Sequence, residues 1–389
     1  MKKSICFFAN SMFRIGGEQR ITSIIANGLI KNDYDVSIII KTKEDIDYNL
    51  YGLSPKIKLI FLNYSYDFRL NNIKLFEKLR NLNRKYGLFK NNKKLIRHFF
   101  CSNKMINDLK RIFNDNHFDV VVGVAGDRSF ILSYLKEHIK SKLIFWNHQN
   151  IDAHYKNKES RYYMEESFIK PLISRFDDIV VQTNDDKEKL DRLYNVNCTI
   201  IYNCKSFVSN EKSKLDNRRF LAAGRLVNQK GFDYLIAAMK IYCENNGKWE
   251  LDIYGDGELK EFLNELIIKN HLEGKVKLFP STSDLKNIYL NHDIFLMSSR
   301  YEGFGLVTLE ALECGLPVIA FDISANREII QNGVTGRLVG AYDVKKFGEA
   351  MIEFSESKKQ IIDMQRNIDE SINKFSEDNI LELWVNIVN

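Results

Sequence analysis

Short apolar runs alternate with amphipathic helical patterns along the chain. SICFFAN, VSIII and DVVVGVA are continuous apolar runs of the kind that buried strands show. Between the first two, helical spacing places Ile21, Ile25 and Leu29 on one face. Apolar strands separated by helices indicate a parallel sheet that is covered on both faces. The pattern therefore predicts the α/β class, with a doubly wound, Rossmann-like arrangement.

The alternation stops once and then starts again. Residues 203–217 are polar and show no periodicity, whereas RFLAAG, WELDIYG and VKLFP resume the strand pattern. Two doubly wound domains facing a central cleft are therefore expected, with ligands beyond the carboxyl ends of the strands. The final amphipathic segment is a candidate to pack back on the first domain. The predicted boundaries are 1–203 for the N-terminal domain, 204–217 for a linker, 218–374 for the C-terminal domain and 375–389 for the final helix.

The positive charge is concentrated in one segment. The 389 residues carry a net charge of +6, but residues 68–113 hold thirteen Lys/Arg and two Asp/Glu, which gives this segment +11 and the rest of the chain −5. An apolar stripe runs through its first helical pattern, at Leu75, Leu79, Leu82 and Tyr86. A basic amphipathic helix is typical of an anionic membrane surface. The candidate contacts with membrane or acceptor are Lys93, Lys94 and Arg97.

An alternative remains for this segment, namely that its stripe packs on the first domain and its charges are solvated. No apolar run approaches the roughly 18 residues that a membrane span requires. The six cysteines are scattered without metal-ligand spacing, as is typical of a reducing cytosol. We therefore expect a cytoplasmic protein, peripheral on the inner face of the cell membrane. No nucleic-acid module is apparent, and the oligomeric state is left open.

The stretch RYEGFGLVTLEALECG combines a glycine turn with an apolar helix that carries a carboxylate. Gly303 and Gly305 allow a ligand to approach the backbone, and the helix that begins near Gly305 presents free N–H groups to an anion such as a diphosphate. Glu310 lies among apolar residues, where vicinal ribose hydroxyls would satisfy its oxygens. Glu302, on the loop, would face a sugar beyond the phosphates. The alternative is that Glu302 caps the helix and Glu310 pairs with a buried arginine.

Two cations follow another strand of the second half. Gly224 ends the strand in AAGRLVNQKGFDYL, and Arg225 and Lys230 flank the loop before the next helix. Arginine and lysine side chains at a strand end can neutralise a diphosphate, although solvated surface cations are the alternative. Gly255 and Asp256 form a turn after the next strand, where the nucleotide base would lie.

These motifs together resemble one enzyme family. Glu302…Glu310, Gly224-Arg225…Lys230-Gly231, Gly255-Asp256-Gly257 and NREIIQNGVTGRLV occur in the order and spacing of the family-4 retaining glycosyltransferases, over about 198–345 and more loosely before. The resemblance implies the GT-B fold, which consists of two Rossmann-like domains around a cleft. With the Lys/Asn/Ile-rich composition, it also implies a bacterial enzyme of surface polysaccharides.

The resemblance implies a role for each matched residue of the second domain. Glu310 would bind the ribose hydroxyls, Glu302 would bind hydroxyls of the donor sugar, and Glu328 would orient the cleft. Arg225 and Lys230 would hold the diphosphate and stabilise it as it leaves. Backbone N–H groups would hold sugar and phosphate at Gly303, Phe304, Gly305, Leu306 and Val307.

The first domain adds a glycine loop and a histidine. Gly16 and Gly17 precede a helix that begins near Glu18, so the turn presents backbone N–H groups to donor phosphate or acceptor. By resemblance, His148 in WNHQN contacts the donor sugar or shapes the reaction face. The alternative is a histidine that only orders the following loop. The catalytic candidates are Glu302, Arg225, Lys230 and His148.

The expected reaction moves a hexose or N-acetylhexosamine from a nucleotide diphosphate sugar, with UDP the expected nucleotide, to a lipid-linked or surface-glycan acceptor such as capsule, O-antigen, teichoic acid or a glycoprotein glycan. The Asp-x-Asp strings at 33–35 and 45–47 flank a strand as turn residues, so no divalent metal and no cofactor is expected. The alternatives are a related GT-B phosphorylase, a UDP-sugar epimerase, and a non-catalytic nucleotide-sugar-binding scaffold at the membrane.

Overall fold

The computed structural model describes residues 2–41, 44–62, 70–89, 91–155, 163 and 166–389. The chain divides into two compact units, of which the first comprises Met1–Asn203 with Glu377–Asn389 and the second comprises Cys204–Ser376. Each unit is built around a parallel sheet with helices on its faces. The prediction of two doubly wound α/β domains is confirmed.

The first unit contains a seven-stranded sheet within its described residues, in the order β3-β2-β1-β4-β5-β6-β7 with every pair parallel. The strand order reverses between β1 and β4, so the loops after these two strands lie side by side. The elements are β1 Ser4–Ala9, α1 Gly17–Lys31, β2 Asp35–Ile40, β3 Lys58–Phe61, α2 Leu70–Tyr86, α3 Lys93–Phe100, α4 Asn103–Asp115, β4 Val120–Val124, α5 Gly126–Tyr134, β5 Lys142–Trp146, α6 Ile151–Tyr155, α7 Glu166–Ile173, β6 Asp178–Val181, α8 Asn184–Tyr194 and β7 Cys198–Ile200.

The second unit is described throughout and holds a six-stranded parallel sheet, in the order β10-β9-β8-β11-β12-β13. Its order reverses between β8 and β11, which brings the loops after these two strands together. The elements are β8 Arg219–Ala223, α9 Phe232–Glu244, β9 Glu250–Tyr254, α10 Lys260–Lys269, β10 Val276–Phe279, α11 Leu285–Leu290, β11 Ile294–Met297, α12 Leu306–Glu313, β12 Val318–Phe321, α13 Ser324–Ile329, β13 Gly336–Val339, α14 Val344–Glu356 and α15 Lys358–Ile372.

The polar segment before β8 differs from the expected linker, because it packs on the second unit. The Ser209 N–H donates to Glu313 Oε1 at 2.8 Å, the Ser213 N–H donates to the Cys314 carbonyl at 2.8 Å, and Leu215 is buried. The polar side chains that suggested a linker here satisfy buried groups instead. Sequence polarity alone does not distinguish these two situations.

The final helix, α16 (Glu377–Val388), belongs to the first unit. Its Trp384 ring lies 4.6 Å from the ring of Trp146 at the end of β5. Gly28 of α1 makes room for it, since a Cβ at that position would stand 2.7 Å from a methyl group of Leu381. The apolar face of α16 therefore completes the core on one side of the first sheet.

The basic segment divides into two kinds of helix. In α4, Ile106, Leu109 and Phe113 are buried in the core, as the alternative reading of the segment expected. In α2, by contrast, three side chains of the predicted stripe are exposed, by 51% at Leu75, 41% at Leu82 and 59% at Tyr86, and only Leu79 packs partly buried on the core. Residues 68, 69 and 90 of the segment lie outside the described residues. Among the described residues, no helix combines the length and apolarity needed to cross a membrane.

Candidate functional site

Two loops of the second unit are bound to each other at the reversal point of the sheet. One follows β8 and the other follows β11. The Arg300 N–H donates to the Gln229 carbonyl at 2.8 Å, and Ser298 Oγ donates to the Lys230 carbonyl at 3.0 Å. The Arg300 guanidinium adds two bonds to the Asp233 carboxylate, at 2.9 and 2.6 Å, and lies over the Tyr234 ring. The sequence-predicted cation loop and glutamate loop therefore form one structural element.

Lys230 and Glu302 meet inside this element. Lys230 Nζ lies 2.6 Å from Glu302 Oε1, and both side chains are largely buried. Ser299 Oγ donates to the same oxygen at 2.7 Å, and Gln229 Nε2 donates to Oε2 at 3.3 Å. The Glu302 carboxylate thus accepts from three side chains instead of capping the following helix, which contradicts the alternative reading. A charge-assisted pair of this kind fixes both loops.

Arg225 projects from the same loop in a different manner. Its guanidinium is exposed and makes no hydrogen bond or ion pair with any residue that the structure describes. Beside it, Gly224 and Gly255 allow two strand ends to touch, because a Cβ on Gly255 would stand 1.9 Å from the Gly224 carbonyl oxygen. In this element Lys230 and Arg300 are each paired with a carboxylate, and the positive charge of Arg225 is available to an anion.

Asp256 is oriented by the next loop. Its Oδ2 accepts from the Ser281 N–H at 2.8 Å and from Ser281 Oγ at 2.6 Å. These hydrogen bonds hold the pKa of the exposed Asp256 carboxyl below its usual value. The carboxylate is thus engaged in ordering the turn after β10, and the turn backbone is what remains for a ligand.

The helix α12 begins at the edge of this element. Gly305 precedes it with φ of 96°, a left-handed conformation that suits glycine. In the first turn the Thr308 N–H donates to the Gly305 carbonyl at 2.9 Å, which leaves the N–H groups of Leu306 and Val307 without an intrahelical acceptor. Phe304 is buried against the Phe375 ring at 5.6 Å, which fixes the turn. The Thr308 hydroxyl in the first turn is buried and has no hydrogen-bond partner among the described residues. The resulting geometry suits an anion at the helix start.

Glu310 lies in the interior of α12 and is 3% exposed. The Tyr289 hydroxyl, contributed by α11, lies 3.2 Å from Glu310 Oε2 and 3.3 Å from the Val307 carbonyl. Tyr289 was not predicted as a site residue, and its side chain is wholly buried. Because a buried carboxylate needs donors, Tyr289 compensates part of the cost of placing Glu310 there.

The first unit has its own cluster of strand-end groups. The Gly16 N–H, expected to face a ligand, donates to the Tyr51 hydroxyl at 2.8 Å, so Gly17 begins α1 with the remaining free N–H groups. Glu18 in the first turn of α1 accepts from Arg128 of α5 at 3.0 Å. Ala125, between β4 and α5, has φ of 63° and ψ of 175°, a region that only glycine adopts without strain.

His148 follows β5 and packs against the Trp146 ring at a centroid distance of 4.2 Å. Its Nδ1 accepts a hydrogen bond from Gln182 Nε2 at 3.1 Å. Burial, with the nearby Arg128 guanidinium as the second cause, lowers the pKa of His148 to about 3. Its Nε2 is buried and has no hydrogen-bond partner among the described residues. The imidazole is thus neutral, and its Nε2 is the atom that could bind a ligand. Gln182 directly follows β6, and Ser299 lies two residues after the end of β11. A polar residue just after a strand is the sequence signal that could have identified both.

The membrane candidates differ among themselves. Lys93 and Lys94 are exposed at the start of α3. Arg97, one turn later, donates to Asn103 Oδ1 at 2.8 Å and lies over the Tyr134 ring, so it has a structural role within the first unit. Within the described part of the chain, no group of three or more His, Cys, Asp or Glu side chains is placed to hold a metal ion.

Comparison with known proteins adds a family match to this geometry. Residues 205–374, which cover most of the second unit, match the family described as "Glycosyl transferases group 1". An uncharacterized glycosyltransferase of Haemophilus influenzae is 25% identical over 397 residues, which cover 99% of this chain and 100% of the relative. The amylovoran biosynthesis glycosyltransferase AmsD of Erwinia amylovora is 31% identical over 226 residues, which cover 55% of this chain and 60% of the relative.

A solved structure matches the fold over the whole chain. The S. aureus TarM structure in complex with Fondaparinux, alpha-GlcNAc-glycerol and UDP is 16% identical, with a TM-score of 0.76 and complete coverage of both chains. At this identity the structural likeness shows the fold only, which is GT-B. The family match and the structural likeness together support a glycosyltransferase of the GT-B fold.

Proposed function

We propose that this chain binds a nucleotide diphosphate sugar on its second unit and transfers the hexose or N-acetylhexosamine to a surface-glycan acceptor. The observation that carries the proposal is the Lys230–Glu302 pair at 2.6 Å, which joins the loop bearing Arg225 to the loop that leads into α12. Cation, helix N-terminus and sugar-facing carboxylate then lie on one element. The relatives named above, of which one makes amylovoran, support a role in surface glycans.

The diphosphate would lie at the start of α12. The first-turn N–H groups and the positive end of the helix favour an anion. The exposed guanidinium of Arg225 can donate two parallel hydrogen bonds to a phosphate. As the bond to the sugar breaks, the leaving diphosphate gains charge, which these groups stabilise in place. This positive charge supplies what a divalent cation supplies elsewhere, so the proposed reaction needs no metal. UDP is the proposed nucleotide, and the UDP in the TarM structure supports this choice.

Glu302 would hold the donor sugar and not attack it. Its two oxygens already accept from Lys230, Ser299 and Gln229, and a carboxylate with three donors is a weak nucleophile. Sugar hydroxyls can join this network, since each carboxylate oxygen accepts more than one hydrogen bond. We therefore propose family-4 chemistry with retention of anomeric configuration, in which the acceptor attacks from the face that the diphosphate leaves.

Glu310 would bind the ribose. It is the fifth of the eight residues of α12, behind the diphosphate position, and the Tyr289 hydroxyl donates to its Oε2 at 3.2 Å. Vicinal ribose hydroxyls are suitable donors for a carboxylate, because each of its oxygens accepts more than one hydrogen bond. The nucleotide, the diphosphate and the sugar would then follow one line along the loops of the second unit.

Turnover of a panel of nucleotide sugars with membrane extract as acceptor tests the proposal. Arg225→Ala should lower turnover by roughly a hundredfold or more, because it removes a donor from the leaving group. Arg366→Ala, on the exposed face of α15, is the matched control in the same unit and should retain activity. EDTA should leave turnover intact. Nucleotide-sugar binding without any turnover would refute catalysis in favour of a scaffold, and phosphate-dependent cleavage or an epimerised sugar would refute transfer.

We further propose that α2 and the start of α3 contact an anionic membrane surface. Leu75, Leu82 and Tyr86 of the α2 stripe are exposed, whereas Leu79 between them packs partly buried on the core of the first unit. Lys78 on the same helix is exposed. Apolar side chains enter the interface while lysines meet anionic lipid, each contributing about 1 kcal/mol. Such a contact would give the peripheral location on the inner face of the membrane and access to a lipid-linked acceptor.

Vesicle flotation tests this contact. Leu82→Glu should abolish binding to vesicles that contain phosphatidylglycerol, and Lys93→Glu with Lys94→Glu should weaken it in a salt-dependent way. Leu383→Glu, an exposed leucine on α16, is the matched control for the added charge. Equal flotation of the wild type and of the Leu82→Glu variant would contradict the proposal.

A further inference from the structure

Three neighbouring strands of the first unit are each followed, just beyond the strand end, by a polar side chain of one cluster. His148 follows β5, Gln182 follows β6 and Asn203 follows β7. The strands are adjacent and parallel in the order β5-β6-β7, so their carboxyl ends meet at the same edge. Gln182 is 2% exposed and Asn203 is 5% exposed. Buried amides of this kind persist only where their hydrogen bonds are made.

The two amides orient each other. Asn203 Nδ2 donates to Gln182 Oε1 at 3.3 Å, and Gln182 Nε2 donates to Asn203 Oδ1 at 2.6 Å. This cyclic pair commits the carbonyl end of Gln182 to Asn203. The second hydrogen of Gln182 Nε2 then points to His148 Nδ1, at 3.1 Å. A nitrogen that receives a hydrogen bond carries no proton, so the ring proton lies on Nε2.

The other side of the ring is left with an unused donor. His148 Nε2 is buried and has no acceptor among the residues that the structure describes. A buried donor without an acceptor is costly, and such groups persist where a ligand completes the bond. The Trp146 ring packs against the imidazole at 4.2 Å and keeps it from turning. The Arg128 guanidinium, itself bonded to Glu18, is the nearby charge, and it opposes protonation of the ring.

We propose that Gln182, held by Asn203, is a positioning residue that fixes His148 as the neutral Nε2–H tautomer, so that the ring donates a hydrogen bond to an oxygen of a sugar ligand at the carboxyl ends of β5, β6 and β7. This inference rests on the proposed glycosyl transfer for its last step. The tautomer itself is a property of the protein without ligand. The two parts can therefore fail separately.

Two-bond ¹H–¹⁵N correlation spectra of the full chain, labelled at its seven histidines, test the tautomer. The signals of His148 are assigned by their loss in His148→Gln. In the wild type we expect the pattern of the Nε2–H tautomer from pH 6 to pH 8. Gln182→Glu replaces the donor by an acceptor, which draws a proton to Nδ1, and the spectrum should change to the Nδ1–H or the doubly protonated form.

Turnover measured on the same samples tests the donation. Gln182→Glu and His148→Gln should each lower turnover by about tenfold, as for one lost hydrogen bond to a ligand. Gln149→Glu, exposed and adjacent to His148 in the chain, is the matched control for the added carboxylate and should change neither the tautomer nor turnover. Gln182→Leu, which adds no charge, should give a mixture of tautomers if Gln182→Glu fails to fold.

Each outcome decides one part. An Nδ1–H tautomer in the wild type would overturn the inference whatever the activity. The expected tautomer together with undiminished turnover in His148→Gln would overturn the donation to substrate. Absence of transfer by the wild type from every donor tested would refute the proposed function and with it the donation, while the spectra still report whether Gln182 sets the tautomer.

Discussion

Replacing His148 by glutamine should change the pH dependence of the stability of the first unit. Burial lowers the pKa of His148 from 6.5 to about 3 in the folded protein. Between these values the unfolded chain binds a proton that the folded chain does not bind, so stability falls as the pH falls below 6.5. Proton linkage then lowers the free energy of unfolding, relative to its value at pH 8, by about 1.4 kcal/mol at pH 5.5 and by about 2.7 kcal/mol at pH 4.5. Glutamine, which does not titrate, removes this dependence.

The assay must follow the first unit alone. The chain has three tryptophans, of which Trp146 and Trp384 lie in the first unit and Trp249 in the second. A Trp249→Phe background therefore makes fluorescence-detected urea unfolding report on the first unit. The free energy of unfolding is measured at pH 8.0 and pH 5.5 for this background with and without His148→Gln. His138→Gln, an exposed histidine of the same unit, is the control for loss of an imidazole elsewhere.

The difference between the two variants isolates His148. Asp186 is also buried, which raises its pKa to about 6 and gives a pH dependence of the opposite sign. Because Asp186 is present in both proteins, its contribution cancels in the difference. His148→Gln should thus gain about 1.4 kcal/mol relative to the background on going from pH 8.0 to pH 5.5. A difference that is the same at both pH values would show that the imidazole is not held neutral by burial.

Three further predictions concern backbone strain, close packing and the buried carboxylate. Ala125→Gly should raise the free energy of unfolding of the first unit by about 1 kcal/mol in the fluorescence assay, since φ of 63° with ψ of 175° suits glycine alone; an unchanged or lower value would contradict the strain. Gly255→Ala should destabilise the second unit by more than about 2 kcal/mol in urea unfolding, because its Cβ would stand 1.9 Å from the Gly224 oxygen, whereas Gly274→Ala meets no atom within 4 Å and should cost under about 1 kcal/mol. Glu310→Ala should weaken UDP affinity about tenfold by calorimetry, and an affinity equal to that of the wild type would rule out the ribose role.

The sequence predicted the α/β class and most elements of both units, because their signals are local. Apolar runs such as β4 and β11 are buried on both faces, and the turn after β11 carries Gly305 at a positive φ. The edge strands β3, β7 and β13 were not predicted. They are short, at Lys58–Phe61, Cys198–Ile200 and Gly336–Val339, and most of their residues are not fully buried, so their apolar signal is weak.

Several groups of the candidate site could also be predicted, since functional groups of parallel sheets follow strand ends, and Arg225, Lys230 and Glu302 stand in loops that follow β8 and β11. The partners of these groups were not readable. Lys230 and Glu302 are 72 residues apart in the chain, and only the adjacency of β8 and β11 brings them to 2.6 Å. The Gln182–Asn203 pair likewise depends on the adjacency of β6 and β7.

The basic segment, residues 68–113, shows most clearly what helical periodicity in the sequence cannot predict, which is whether an apolar face is buried. Helices α2 and α4 carry the same kind of apolar stripe, yet Leu109 of α4 is fully buried and Leu82 of α2 is 41% exposed. A helical spacing states that one face is apolar, which is a property of the chain. What covers that face depends on the position of the helix against the sheet, and this is set by contacts between residues far apart in sequence. The tertiary structure alone decided which stripe became core and which became surface.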